Sequence, residues 1–251
     1  MVTARVDAYV GSVRSPHSYL LCCTPRTGST LLCGLLSSTG VAGRPESYFR
    51  VPDHQMWAAR FGLSMAGEGD FDFGDFMDGA VRMGSTGNGV FAARIMWGTM
   101  HLLAEGLGRD PGEGSDVEVL ERALGPLRFV SLQRVDTIAQ AVSWARAEQT
   151  GFWQQGDRVT FEAELDLGQI DRLVTTIDEH NDAWQTWFAA QRVEPLDLTY
   201  ESLVSDPAGT VKRILDFIGT VPPDDWTPVS PHERQTDSIN AEWARRYRET
   251  P

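Results

Sequence analysis

The sequence predicts an α/β fold, with a parallel sheet of about four to five strands flanked by helices on both faces. Two observations carry this. Short apolar runs recur at residues 19–23, 90–95, 128–132 and 195–199, and each is followed by residues at helical spacing. The first run (Tyr19-Leu20-Leu21-Cys22-Cys23) passes directly into Thr24-Pro25-Arg26-Thr27-Gly28-Ser29-Thr30 and then into Leu31-Leu32-Cys33-Gly34-Leu35-Leu36. That order reads as strand, turn, helix.

The turn has the composition of an anion cradle. Backbone N–H groups at a helix N-terminus are free to donate, and the positive end of the helix dipole lies there. Arg26 adds a cation, Ser29 and Thr30 add hydroxyls, and Gly28 can take the positive φ such a cradle often needs. A nucleoside-triphosphatase loop reads G-x-x-x-x-G-K-[ST]. This turn lacks the first glycine and the lysine. The sheet is thus P-loop-like, with a loop adapted to something other than Mg-ATP.

The remaining elements follow in order. Residues 1–17 read as a polar leader. Residues 137–148 place Ile138, Ala141, Val142 and Ala145 on one helical face. Residues 165–190 form a long helix with Ile170, Leu173, Ile177, Trp184, Trp187 and Phe188 at helical spacing, which predicts core packing rather than a stacking platform. Asp206-Pro207 is a helix start, since Asp caps and Pro is tolerated in the first turn. The helix it launches carries Val211, Ile214, Leu215, Phe217 and Ile218 and stops at Gly219. Residues 67–75, 106–116 and 151–160 read as loops. With no internal repeat and no Pro/Ser linker, residues 18–251 are expected to form a single domain.

Composition narrows the ligand. The 251 residues carry a net charge of −13, which argues against a nucleic-acid binder. An anionic ligand must therefore meet a local cationic pocket, and apart from Lys212 every basic side chain (histidines aside) is arginine. Cys22 and Cys23 are neighbours on a strand and face opposite sides. With Cys33 they read as small buried apolar residues in a reducing compartment. Arg5, Asp7 and Arg14 interrupt the N-terminus with no apolar stretch of a signal peptide. No apolar run approaches the roughly 20 residues of a membrane span. A cytoplasmic protein without a transmembrane segment is expected.

A second anion site is suggested by Phe129-Val130-Ser131-Leu132-Gln133-Arg134, a strand ending in arginine, with Ser143 in the helix that follows. Arg134 and Ser143 together suit one phosphate; each alone also fits a strand-capping arginine and a buried serine. The first turn followed by R-x-x-x-x-x-x-x-x-S resembles the sulfotransferases that use 3′-phosphoadenylyl sulfate (PAPS). The late segment Leu198-Thr199-Tyr200-Glu201-Ser202-Leu203-Val204, then Asp206-Pro207, is similar to a segment of that family. Within it, Gly40-Val41-Ala42-Gly43-x-Pro45, Arg94-Ile95-Met96-Trp97, Ala139-Gln140-Ala141-Val142-Ser143 and Glu233-Arg234-Gln235 before Trp243…Tyr247-Arg248 resemble the bacterial trehalose 2-sulfotransferase group.

The resemblance implies a donor site. Pro25, Arg26, Thr27, Gly28, Ser29 and Thr30 would hold the 5′-phosphosulfate, Arg134 and Ser143 the 3′-phosphate, and Arg234 would approach the nucleotide unless it pairs with Glu233 or Asp237. Adenosine 3′,5′-bisphosphate would be the product, and no metal is called for. Tyr200 reads as a half-buried core tyrosine, with a place near the adenine as the alternative. Arg94 stands where the trehalose group carries a lysine; a cation there would stabilise the sulfonyl oxygens or hold the acceptor.

The acceptor would be a small hydroxylated molecule, a sugar or glycolipid, and a homodimer is admitted. Its hydroxyl needs a general base. Counting along the motif puts the family's glutamate on Ser47; a one-residue loop shift restores Glu46, and otherwise His54 or His101 becomes the candidate. Catalytic roles thus fall to Glu46, Arg26 and Arg94. Two other classes fit parts of the pattern: a P-loop-type small-molecule kinase, which the missing lysine opposes, and a non-catalytic nucleotide-binding relative.

Overall fold

The computed structural model describes residues 17–63, 71–109, 114–153, 162–229 and 238–250. The expected leader, apart from residue 17, and Arg234 lie outside the described residues. Four parallel strands form the sheet among them: β1 (His17–Cys23), β2 (Val90–Met96), β3 (Leu127–Gln133) and β4 (Leu196–Thr199), in the order β2-β1-β3-β4. All three pairings are parallel, with Cys23 opposite both Met96 and Leu132. The chain leaves β1 for β2 on one side and then returns past β1 to build β3 on the other. Ligands of such sheets sit outside the carboxyl ends of the strands where this reversal occurs, here the ends of β1 and β3.

Alternation along β1 builds two cores. Tyr19, Leu21 and Cys23 meet α1 (Ser29–Ser38) and α9 (Pro207–Ile218) on one face. Leu20 and Cys22 meet the other face, which buries side chains of α2 (His54–Phe61), α3 (Phe73–Gly84), α4 (Met100–Gly106), α5 (Asp116–Leu124) and the last turns of α7 (Leu167–Gln191). Helices thus cover both faces, as expected of a parallel sheet. A third cluster joins α6 (Thr137–Thr150), α7 and α10 (Ser238–Glu249) through Ala141, Ile170, Ile177 and Trp243.

The helix boundaries have local causes. Asp136 and Asp206 cap α6 and α9 through the N–H groups of Ala139 and Gly209. Gly219 closes α9 in the left-handed conformation. Ser115 and Glu118 form a capping box that starts α5. The stretch read as a loop at 67–75 is helical from Phe73 onward, because Asp72 caps α3 by accepting from the Asp75 N–H. A short helix, α8 (Tyr200–Ser205), follows β4 directly and brings Tyr200 to the sheet's carboxyl edge.

Candidate active site

The loop after β1 is braced from several directions. The Cys23 carbonyl accepts from Trp184 Nε1 at 3.2 Å and from the Trp97 N–H at 3.3 Å. Thr24 and Thr27 are buried, and the Thr27 hydroxyl donates to the Thr24 carbonyl at 3.0 Å. From α6, the fully buried Gln140 donates its amide hydrogens to Thr24 Oγ1 at 2.8 Å and to the Pro25 carbonyl at 2.7 Å. Within this frame Arg26 takes a φ of 67° and Gly28 one of 78°. A left-handed arginine costs about 1–2 kcal/mol, and the surrounding bonds offset it. Gly28 is required by close approach as well as by φ, since a Cβ there would stand 2.6 Å from Tyr200 Cδ2. Gly28 is also the N-cap of α1 and brings no side-chain acceptor, so the first N–H groups of the helix remain turned to the loop.

Arg26 and Ser143 are brought together: Arg26 Nε donates to Ser143 Oγ at 3.0 Å, and Nη1 donates to the Trp153 carbonyl at 2.6 Å. Arg134 leaves the end of β3 and lays its guanidinium 4.4 Å from the centre of the Tyr200 ring. The following turn is clamped by Glu201, whose carboxylate accepts from the N–H groups of Val135 at 3.1 Å and Asp136 at 3.4 Å. Arg248 of α10 ties the same turn through Asp136 at 2.6 Å. The loop after β1 and the turn after β3 are therefore neighbours. They sit at adjacent carboxyl ends of β1 and β3, and Tyr200 touches both.

A third cation closes the β2 side. Arg94 Nε donates to Ser47 Oγ at 2.8 Å and Nη1 to Thr30 Oγ1 at 2.9 Å. Burial works against this cation, but Cys33, Cys23, Glu46 and Asp53 around it outweigh the burial and raise its pKa. Glu46 pairs with β2 through its backbone, accepting the Arg94 N–H at 2.9 Å, and its side chain is exposed. Ser47 points inward and is buried, and its carbonyl accepts from Trp57 Nε1 at 3.2 Å. Of the histidines considered for the base, His54 packs against Phe71 and Phe76, with ring centroids 5.9 and 5.2 Å away, and His101 is exposed on α4.

The three cysteines are free and buried, and burial raises all their pKa values, that of Cys33 to about 12. In the sequence Gln140 stands within the Ala139–Ser143 motif and has no role assigned to it. On the helix 137–148 it lies opposite the face of Ile138, Ala141, Val142 and Ala145, on the side of Ser143 and Ala147, so helical periodicity marks it as solvent-facing and gives no signal of its burial. Among the described residues no helix is long and apolar enough to cross a membrane.

The carboxyl edge of the parallel sheet thus carries Arg26, Arg94 and Arg134 beside the N-terminus of α1. The chain belongs to the Stf0 sulphotransferase family, whose model matches residues 18–250, and it is a sulfotransferase. It is 31% identical over 255 residues to the trehalose 2-sulfotransferase of Mycolicibacterium smegmatis, covering 93% of this chain and 95% of the relative. It is 29% identical to the trehalose 2-sulfotransferase of Mycobacterium tuberculosis over 94% of this chain and 96% of that one. Similar solved structures include the sulfotransferase domain from the Synechococcus PCC 7002 olefin synthase, at 18% identity and a TM-score of 0.43 over 96% of this chain and 91% of that chain. The sulfotransferase domain from the curacin biosynthetic pathway is similar at 17% identity and a TM-score of 0.45, over 92% of this chain and 83% of that chain.

Proposed function

We propose that this sulfotransferase moves a sulfuryl group from PAPS to a hydroxyl of a carbohydrate, trehalose-like or glycolipid, or another small acceptor. The observation that carries the reading is the adjacency of two anion-binding motifs, Thr24–Thr30 and Arg134, joined by Tyr200 and lacking the triphosphatase lysine. A donor with a phosphosulfate at one end of its ribose and a phosphate at the other suits this spacing. The relatives' trehalose activity favours a sugar acceptor.

In this reading the α1 N-terminus, Arg26 and the Ser29 and Thr30 hydroxyls hold the 5′-phosphosulfate. Arg134 and Ser143 meet the 3′-phosphate, Ser143 while also accepting from Arg26 Nε. Arg234 is assigned to the nucleotide by motif alone. The sulfur–oxygen bond to the 5′-phosphate breaks as the acceptor oxygen bonds to sulfur, and the bisphosphate leaves with the electron pair. Negative charge spreads over the sulfonyl oxygens and the leaving group, so fixed cations such as Arg26 and Arg94 lower the barrier. Glu46, beside Arg94 in the Gly43-x-Pro45 loop, takes the acceptor proton. Residues 18–251 act as one domain, with residues 1–17 as a polar leader, in the cytoplasm.

Calorimetry with adenosine 3′,5′-bisphosphate and with AMP tests the donor assignment. A clear preference for the bisphosphate is expected, and equal affinity would sink it. Turnover of labelled PAPS against a panel of sugars then identifies the acceptor, and absence of transfer to every hydroxyl offered would favour a nucleotide-binding relative without turnover.

A further inference from the structure

We infer that Gln140 is a positioning residue for the donor, acting through Arg26. This rests on reading Thr24–Thr30 as the 5′-phosphosulfate loop. Gln140 has no exposed surface, and its amide donates to Thr24 Oγ1 and to the Pro25 carbonyl, the two residues directly before Arg26. The Pro25 carbonyl can only accept, so it fixes which end of the amide faces the loop. The other end, Oε1, is buried with no hydrogen-bond partner. Both amide hydrogens are thus committed to the two residues before Arg26, which sets this residue apart from an apolar core position.

One turn along the same helix, Ser143 accepts from Arg26 Nε. α6 therefore grips the backbone before Arg26 with one residue and its guanidinium with another. Between these two grips Arg26 holds a positive φ that arginine rarely adopts. Without Gln140 the Thr24–Pro25 backbone loses its brace, Arg26 relaxes toward ordinary φ, and the guanidinium leaves the place from which it meets the phosphosulfate. Gln140 itself touches no donor atom. Its effect is carried wholly by loop conformation.

A double-mutant cycle on the full chain tests this, with affinity for adenosine 3′,5′-bisphosphate read by calorimetry. Gln140→Met in the wild-type background is expected to weaken binding roughly tenfold. In an Arg26→Ala background the same change is expected to have little further effect, because residues acting as one unit are not additive. Equal losses in both backgrounds would overturn the inference, as would an unchanged affinity in the first. Thr24→Val, which removes the acceptor from the loop side, carries the same cycle should Gln140→Met not fold. If the wild-type chain itself shows no preference for the bisphosphate over AMP, the donor assignment fails and this inference with it. Wild-type preference with an additive cycle removes only the role of Gln140.

Discussion

The guanidinium of Arg134 and the ring of Tyr200 lie 4.4 Å apart, and the same ring closes over Gly28 of the first loop. Tyr200, expected as a half-buried tyrosine of the core or a neighbour of the adenine, is half-buried and stands between the loop after β1 and Arg134. A half-buried cation–π contact contributes about 1–2 kcal/mol. Tyr200→Leu should therefore weaken adenosine 3′,5′-bisphosphate binding about tenfold while changing AMP binding less. Tyr200→Phe should retain wild-type affinity in the same calorimetric titration. Equal losses in both variants would assign the effect to the hydroxyl and not to the ring.

Gly28 supplies a sharper steric test. A Cβ would meet Tyr200 Cδ2 at 2.6 Å, on a backbone already at φ +78°. Gly28→Ala is expected to destabilise the fold by about 1–3 kcal/mol, read as a lower thermal midpoint, and to remove donor binding. Adding Tyr200→Ala should recover part of the stability by relieving the contact, but not the part due to φ. Complete recovery would show that backbone conformation is not at issue.

Much of this arrangement was legible in the sequence, for physical reasons. Strands buried on both faces read as short apolar runs, as at 19–23, 90–95 and 128–132, and the edge strand at 195–199 keeps a weaker one in which only Leu198 is buried. Asp206-Pro207 and Gly219 bound α9 because caps and stops act locally. What sequence could not show depends on side-chain direction across elements. Ser143, expected beside Arg134 at one phosphate, also accepts from Arg26 Nε, a contact that no spacing along the chain announces. The left-handed Arg26 has no compositional signal, since glycine and asparagine are the usual occupants. Glu46 and Ser47 are adjacent in the chain, but the pairing of the Glu46 carbonyl with Arg94 turns Ser47 inward.

That division sets a direct test of the base. If Glu46 takes the acceptor proton, Glu46→Gln should lower kcat by about 10²- to 10⁴-fold with donor binding unchanged. Ser47→Ala should have a small effect through Arg94 alone. A large loss in Ser47→Ala with Glu46→Gln near wild type would transfer the role to the Ser47 side.

Arg94 holds Ser47 and Thr30 with two different nitrogens. A lysine keeps the charge but offers one compact donor group, which suits a point charge rather than a fork. Arg94→Ala is expected to lower kcat by about 10²-fold or more. Arg94→Lys should recover part of that, and steady-state kinetics at saturating donor would measure it. Full activity in Arg94→Ala would exclude a role at the sulfonyl oxygens.

Stability should fall at high pH, with a sign set by the cysteines. Burial raises the pKa values of Cys22, Cys23 and Cys33 above the ordinary thiol value of 9.0, that of Cys33 to about 12. In the unfolded chain the thiols lose their protons near that ordinary value, while the folded chain keeps them. The folded state then binds more protons than the unfolded one, so stability declines with rising pH. The contribution is complete below pH 9.0 and is lost as pH rises toward about 12. Urea midpoints should therefore stay level, as far as these groups contribute, through neutral pH and drop above about pH 9. Cys33→Ala should make the drop shallower, because one of the groups responsible is gone. A midpoint that rises over the same interval would mean that the folded chain ionises these thiols more readily than the unfolded one, the reverse of what their burial implies.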